Sequence, residues 1–146
     1  MEVSGNILDY KVDEYTIVIC HQTNCQTKSS KGLSKQIFDK YPETNIYYHK
    51  RTPGEIIITQ TNDGKFVFHL NAQDSPGKPS TNESKEQRLE WFKKCISEIR
   101  KYSSPRCMFL FPYGIGCGLA GGNWNDYHRI LLNSGIENLV IIKFDQ

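Results

Sequence analysis

Five segments of the chain consist almost entirely of β-branched, aliphatic and aromatic residues, and polar or turn-forming residues flank each of them. Several are apolar at consecutive positions and do not alternate with polar residues. Strands of this kind are buried on both faces, as in a sheet covered by helices on each side. The pattern predicts strands at residues 15–21, 55–59, 65–70, 107–111 and 139–144.

Three segments between these strands have apolar residues every three or four positions, which is the spacing of an amphipathic helix. The first covers residues 33–41 and ends before Pro42. The second covers residues 84–102, and Ser84 with Gln87 forms a possible capping box at its start.

The third helix follows Asn123, a suitable N-cap, and stops before Gly135. The order of elements is strand, helix, two strands, helix, strand, helix, strand. This order predicts an α/β fold, a three-layer α/β/α sandwich with a central mixed β-sheet. We expect residues 1–146 to form a single domain of this kind.

The composition narrows the functional classes. A net charge of +2 is too small to favour nucleic acid as a partner. No apolar run approaches the ~20 residues of a membrane helix, and the polar start of the chain does not resemble a signal peptide. The five cysteines are an odd number without a C-x-x-C pair, so we expect reduced thiols and no metal. We expect a monomer without a cofactor in the cytoplasm, from which it could diffuse into the nucleus.

A polar loop follows the first predicted strand and leads to Gly32 at the start of a helix. Free amides at a helix start can hold a phosphate or a ribose oxygen, and a glycine allows close approach. The alternative is an ordinary connection between a strand and a helix.

A second loop carries five glycines within residues 114–122, directly after a buried strand and before a helix. It lacks the Gly-Lys-Ser/Thr of a Walker loop and the context of a dinucleotide fingerprint. Its form is typical of an anion-binding nest of successive N–H groups, although a purely structural role is the alternative. Because ligands gather at the carboxyl ends of strands in such sheets, we expect both loops to face one cleft.

Two residues near these loops are candidates for chemistry. His21 closes a buried strand at the expected cleft and could be a general acid or base, or a satisfied strand-end residue. Cys117 lies among the glycines, and its role could be that of a nucleophile or that of a small packing residue. His69 is interpreted as a core or sheet-face residue.

Three segments together resemble the macro domain, a module that binds ADP-ribose, over essentially the whole chain. They are GNIL near the start, ICHQTNCQTKSSKGLSKQI and PYGIGCGLAGGNW. The resemblance implies that Asn6 and Ile7 lie at the adenine, Asn24 at the distal ribose and Gly32 in the first ligand loop. It also implies that the second loop binds the ligand, mainly its diphosphate, through Gly114, Ile115, Gly116, Cys117, Gly118 and Leu119.

The sequence is most similar to the compact branch of the family, which contains ADP-ribose 1''-phosphate phosphatases and terminal ADP-ribose glycohydrolases acting on acidic residues. Lys78 matches the lysine with which the glycohydrolases attack the sugar, but Ala120 stands where they carry a catalytic aspartate. Asn6 replaces the usual acid of the first motif, and Ser30-Lys31 replace two glycines of the first loop.

These features lead us to expect a phosphatase that hydrolyses ADP-ribose 1''-phosphate to ADP-ribose and phosphate. His21 would be the acid or base, Asn24 would orient the ribose and water, and the loop amides would stabilise the phosphate charge. The partner would be ADP-ribose or a derivative, free or linked to protein. The alternatives are a non-catalytic reader of ADP-ribose, a hydrolase that removes it from protein through Lys78, and a structural protein without a ligand.

Overall fold

The computed structural model describes residues 1–144, which form a six-stranded sheet. The strands are β1 (Glu2–Gly5), β2 (Thr16–Gln22), β3 (Ile56–Gln60), β4 (Phe66–Leu70), β5 (Cys107–Pro112) and β6 (Leu139–Phe144). Their order in the sheet is β1-β6-β5-β2-β4-β3. Only the edge strand β3 is antiparallel to its neighbour, and the other pairings are parallel.

The helices lie on both faces of the sheet. They are α1 (Gly32–Lys40), α2 (Lys85–Arg100) and α3 (Trp124–Leu132), and a short 3₁₀ turn, Pro42–Thr44, follows α1. Alternate side chains of the central strand β2 point to opposite faces of the sheet. Ile17 and Ile19 pack in one apolar cluster with α1, whereas Val18 and Cys20 pack in the other cluster with α2 and α3. The predicted three-layer sandwich with a mixed sheet is therefore confirmed.

The five predicted strands and three predicted helices are present, with ends that coincide or differ by one or two residues. The sequence pattern missed β1, because this strand has only four residues at the edge of the sheet and none of them is fully buried. None of the helices described in residues 1–144 is long and apolar enough to cross a membrane. The predicted domain also includes residues 145 and 146, which lie outside the described residues.

The parallel pairing of β2 with β4 and β5 brings the carboxyl ends of these three strands to one edge of the sheet. In this register His21 of β2 lies opposite His69 of β4. The loops that leave these three strands therefore meet above the same part of the sheet.

The predicted N-cap of α2 gives a direct test of local stability. The Ser84 side chain accepts a hydrogen bond from the Gln87 amide at 3.0 Å. We expect Ser84→Ala to lower the free energy of unfolding by about 1 kcal/mol, because it leaves this amide without its acceptor. Ser97→Ala, at an exposed position inside the same helix, is the matched control and should leave stability unchanged or slightly higher. Urea denaturation measures both, and equal effects would contradict the role of the cap.

Candidate functional site

A cavity of about 680 Å³ opens at the carboxyl ends of β2, β4 and β5. Three connections surround it: the first loop (residues 23–31) after β2, the polar loop (residues 71–83) after β4, and the glycine loop (residues 113–123) after β5. The start of α1 completes the wall. The two loops expected to face one cleft thus lie around the same cavity.

Two glycines of the glycine loop are required by packing within the protein. Gly116 and Gly122 lie against the ring of Tyr127 in α3, and the Gly122 amide donates to the Gly116 carbonyl at 2.9 Å. A Cβ on Gly122 would lie 2.6 Å from Cε1 of Tyr127, and one on Gly116 would overlap the same ring. These glycines form the neck of the loop and fix it on α3.

Gly118, at the tip of the loop, has no such requirement. A Cβ built on it meets nothing within 4 Å, and its φ lies outside the left-handed region. Within residues 1–144 no oxygen accepts a backbone hydrogen bond from the amides of Gly118, Leu119 and Ala120. All three residues line the cavity. The tip of the loop therefore offers N–H groups without an acceptor among the described residues, and Gly118 has no side chain that would keep a ligand away from them.

The first turn of α1 presents a second set of free amides. Lys31, the N-cap, makes no side-chain capping hydrogen bond, and the first helical bond runs from the Lys35 amide to the Lys31 carbonyl. The amides of Gly32, Leu33 and Ser34 therefore have no partner within the helix. These three residues line the same cavity as the tip of the glycine loop.

The buried Arg51 holds the first loop in place. Its Nε donates to the Asn24 carbonyl at 2.7 Å and its Nη2 donates to the Thr27 carbonyl at 2.6 Å. Its Nη1 donates to the carbonyls of Ile46 and His49, both at 3.3 Å, and the guanidinium stacks on the Tyr47 ring. These four carbonyl groups belong to no helix or strand, and Arg51 supplies hydrogen-bond donors to them.

A buried ion pair joins the other two loops. Arg88 of α2 lies 2.6 Å from Glu83 and donates to the carbonyls of Gly77 at 2.6 Å and Ala120 at 3.0 Å. Glu83 also accepts from the amide and hydroxyl of Ser75. Burial raises the pKa of Glu83, but the hydrogen bonds from Ser75 and Arg88 outweigh it and hold the pKa below its usual value. One guanidinium thus fixes the polar loop against the glycine loop.

His21 lines the cavity, but both of its ring nitrogens bond within the protein. Nδ1 lies 2.9 Å from Ser34 Oγ, and Nε2 lies 2.7 Å from Nδ1 of His69, whose Nε2 lies 2.8 Å from Thr59 Oγ1. Burial lowers the pKa of His21 to about 3. Burial, and next the neighbouring His21, also lowers the pKa of His69 well below its usual value. Both rings are therefore neutral at pH 7, and His21 has no free nitrogen for a ligand.

The cavity wall carries little charge. Among the described residues that line it there is no carboxylate, and Lys31 is the one that carries a full charge. Burial raises the pKa of the Cys117 thiol to about 11, so this side chain is a neutral thiol and not a nucleophilic thiolate. The wall consists mainly of peptide groups, amide side chains and apolar groups, and it favours an anionic ligand held by N–H donors.

Most of the residues that the sequence predicted for the site lie together. The cavity is lined by His21, Asn24, Gly32, Gly114, Ile115, Gly116, Cys117, Gly118 and Leu119. Asn6 and Ile7 are not among the lining residues. The Asn6 Oδ1 accepts from the Leu8 amide, and Ile7 packs in the apolar cluster beneath α1. Lys78 is exposed and also lies outside the lining, where its side chain packs near Gly121.

Several residues that build the site escaped the sequence reasoning. Gln22 and Gln73 line the cavity, and Arg51 and Arg88 hold its loops. The position of Gln22 at the end of a buried strand, beside His21, was a signal for its place at the rim. The arginines gave no comparable signal, because their partners are carbonyl groups of distant segments.

The sequence matches no family model and no curated protein. Solved structures nevertheless resemble nearly the whole chain. A Bacteroides thetaiotaomicron protein of unknown function has a TM-score of 0.82 at 18% identity, over 99% of this chain and 97% of that chain. The macrodomain of Mycobacterium tuberculosis DarG has a TM-score of 0.69 at 20% identity, over 100% of this chain and 98% of that chain.

A mutant macrodomain of Oceanobacillus iheyensis, solved with ADPR, has a TM-score of 0.59 at 16% identity, over 97% of this chain and 82% of that chain. The fold of this protein is thus an α/β sandwich with a ligand-sized cavity at the carboxyl ends of its parallel strands. More specifically, it is the macro domain fold, as the three sequence motifs indicated.

The ion pair between Arg88 and Glu83 should contribute strongly to stability. Arg88→Met leaves the Glu83 carboxylate buried without a counter-charge and the carbonyls of Gly77 and Ala120 without a donor. We expect a loss of about 3–5 kcal/mol in the free energy of unfolding, measured by urea denaturation. Lys93→Met is the matched control, because it removes the exposed ion pair with Glu90 and should change stability by less than about 1 kcal/mol. A loss no larger than that of the control would contradict this role of Arg88.

The buried histidines should make stability depend on pH. An unfolded histidine gains a proton below about pH 6.5, whereas folded His21 stays neutral down to about pH 3. The unfolded state therefore binds more protons in this window, and stability falls as the pH falls from about 6.5, by up to about 1.4 kcal/mol per pH unit for each ring. We expect His69→Gln to reduce this slope between pH 6 and 4 in urea denaturation. The exposed His49→Gln is the control, and an equal slope in both variants would contradict the assignment.

Proposed function

We propose that the cavity binds ADP-ribose, with the diphosphate between the tip of the glycine loop and the first turn of α1. The observation that carries the proposal is the pair of free amide sets facing one cavity whose described lining has no carboxylate. Successive N–H groups and a helix N-terminus are the two arrangements with which a backbone holds phosphate. A wall without carboxylates does not repel the two negative charges of a diphosphate.

Three further points favour ADP-ribose over other phosphate compounds. The volume of about 680 Å³ lies in the range of cavities that hold drug-sized ligands and is far larger than inorganic phosphate needs. The motifs around Asn24 and Gly118 resemble the two ligand loops of macro domains. The Oceanobacillus macrodomain with the same fold was solved with ADPR. ADP-ribose, free or linked to protein, is the ligand consistent with all three.

The geometry supports binding better than hydrolysis. The phosphatase predicted from the sequence needs a group that activates water or protonates the leaving group. His21 is neutral and bonded at both ring nitrogens, Cys117 is a protonated thiol, and Lys78 does not line the cavity. Ala120 lacks the carboxylate that the glycohydrolase mechanism requires. We therefore propose that the protein recognises ADP-ribose without hydrolysing it. The alternative to be tested is hydrolysis of ADP-ribose 1''-phosphate.

The tip of the glycine loop offers a specific test of binding. Gly118→Val adds a side chain where the protein leaves open space, so the unliganded melting temperature should stay within about 2 °C of the wild type. If the diphosphate lies against this residue, the dissociation constant for ADP-ribose in isothermal titration calorimetry should rise at least about tenfold. Unchanged affinity in a folded Gly118→Val variant would contradict the proposed diphosphate site.

The reaction has its own test. We expect the purified protein to release no phosphate from ADP-ribose 1''-phosphate above the rate without protein, because the described residues that line the cavity include no carboxylate and no histidine with a free ring nitrogen. Phosphate release is measured colorimetrically, with Asn24→Ala and His21→Gln in parallel. If the wild type releases phosphate and both variants do not, the protein is a phosphatase and the proposal of binding without hydrolysis is wrong.

A further inference from the structure

Three carboxamide side chains line one end of the cavity, where β2 and β4 end. They belong to Gln22, Asn24 and Gln73. We call this end the amide end. The three side chains are neutral, so the amide end differs from the phosphate-binding part of the cavity in the chemistry that it offers. Hydrogen bonds to neighbouring groups fix which atoms of Gln22 and Asn24 remain for a ligand.

The orientation of Gln22 follows from a chain of contacts that begins at Arg88. The Arg88 guanidinium donates to the Ser75 carbonyl at 3.1 Å, and Nε2 of Gln73 donates to the same carbonyl at 3.2 Å. A carbonyl can only accept, so the amide nitrogen of Gln73 must face Ser75 and its Oε1 must face Gln22. This Oε1 accepts from Nε2 of Gln22 at 2.8 Å.

Gln22 is therefore left with an unused acceptor. Its Oε1 is buried and has no hydrogen-bond partner within residues 1–144. A buried polar atom without a partner is costly, by an amount similar to a lost hydrogen bond. Gln22 lines the cavity and the terminal torsion of a glutamine is soft, so this oxygen is the acceptor that Gln22 can turn towards a ligand donor.

Asn24 leaves the opposite kind of group. Its Oδ1 accepts from the amides of Gln26 at 3.0 Å and Thr27 at 2.9 Å, and from the Thr27 hydroxyl at 3.2 Å. These bonds belong to the turn of the first loop and fix the carboxamide, so the group that Asn24 can offer to a ligand is the Nδ2 donor. The amide end thus combines one free acceptor with one free donor.

We propose that Gln22 and Asn24 make the amide end selective for a ribose that ends in a hydroxyl over one that ends in a phosphate. A hydroxyl donates one hydrogen bond and accepts others, so it can bond to Gln22 Oε1 and Asn24 Nδ2 together. A phosphate dianion can only accept, and it would leave Gln22 Oε1 unpaired beside a negative charge. The proposal rests on the proposed function, and it makes free ADP-ribose, or ADP-ribose exposing an unmodified terminal ribose, the preferred ligand.

Calorimetric titration of three compounds tests this proposal: ADP, ADP-ribose and ADP-ribose 1''-phosphate. ADP contains the adenosine and the diphosphate but not the second ribose, so it reports on every part of the site except the amide end. We expect the wild type to bind ADP-ribose at least about tenfold more tightly than ADP-ribose 1''-phosphate. Gln22→Met keeps the length of the side chain and removes the acceptor, and it should weaken ADP-ribose about tenfold while ADP changes less than about twofold. Gln36→Met, at an exposed position of α1 outside the lining, is the matched control and should change neither affinity.

The outcomes separate the two proposals. Equal or tighter binding of the 1''-phosphate by the wild type overturns the selectivity. A Gln22→Met variant that weakens ADP and ADP-ribose equally, or neither, also overturns it, while the proposed function stands. Retained ADP binding shows that the variant is folded. If the wild type binds neither ADP nor ADP-ribose, the proposed function fails and the selectivity falls with it.

Discussion

The carbonyl groups of the loops around the cavity must find donors, although these loops form neither helix nor strand. Buried carbonyls without partners would cost more than most single contacts in the protein contribute. Arg51 supplies four such hydrogen bonds to the first loop and the segment after α1, and Arg88 supplies three to the polar and glycine loops. The shape of the cavity therefore depends on two guanidinium groups that do not themselves line it. Because each guanidinium is rigid and planar, it fixes the distances between the carbonyls that it joins.

The glycine loop divides its glycines between two tasks. Gly116 and Gly122 lie on the Tyr127 ring and anchor the loop to α3, whereas Gly118 lies at the tip with open space beside it. From the sequence, the whole segment is compatible with a structural role and with a ligand-binding role. The structure shows the packing role at Gly116 and Gly122, and the proposed ligand-binding role falls on Gly118 of the same loop. A count of glycines cannot separate these roles, because the separation depends on a ring that another element supplies.

Much of the fold could be predicted because its strands are buried on both faces and its helices are amphipathic, and these properties appear in consecutive residues. Short β1 carried no such signal at the edge of the sheet. The two site loops could be predicted because strand, loop and helix follow one another along the chain. The role of His21 could not, because it depends on His69, which is 48 residues away and reaches it only through the register of β2 with β4. The amide end has the same origin, since Gln22 and Gln73 meet only when the two strands pair.

The described residues of the cavity wall carry almost no full charges, and this affects the conditions under which the site can bind a ligand. Interactions between exposed charges weaken as salt rises, because mobile ions accumulate around each charge. Peptide dipoles held at short distance inside a cavity leave no room for such ions between donor and acceptor. An anion bound mainly by the amides of the glycine loop and α1 should therefore keep most of its affinity when ionic strength changes. Recognition at this site therefore depends on the shape of the backbone more than on the salt concentration of the solvent.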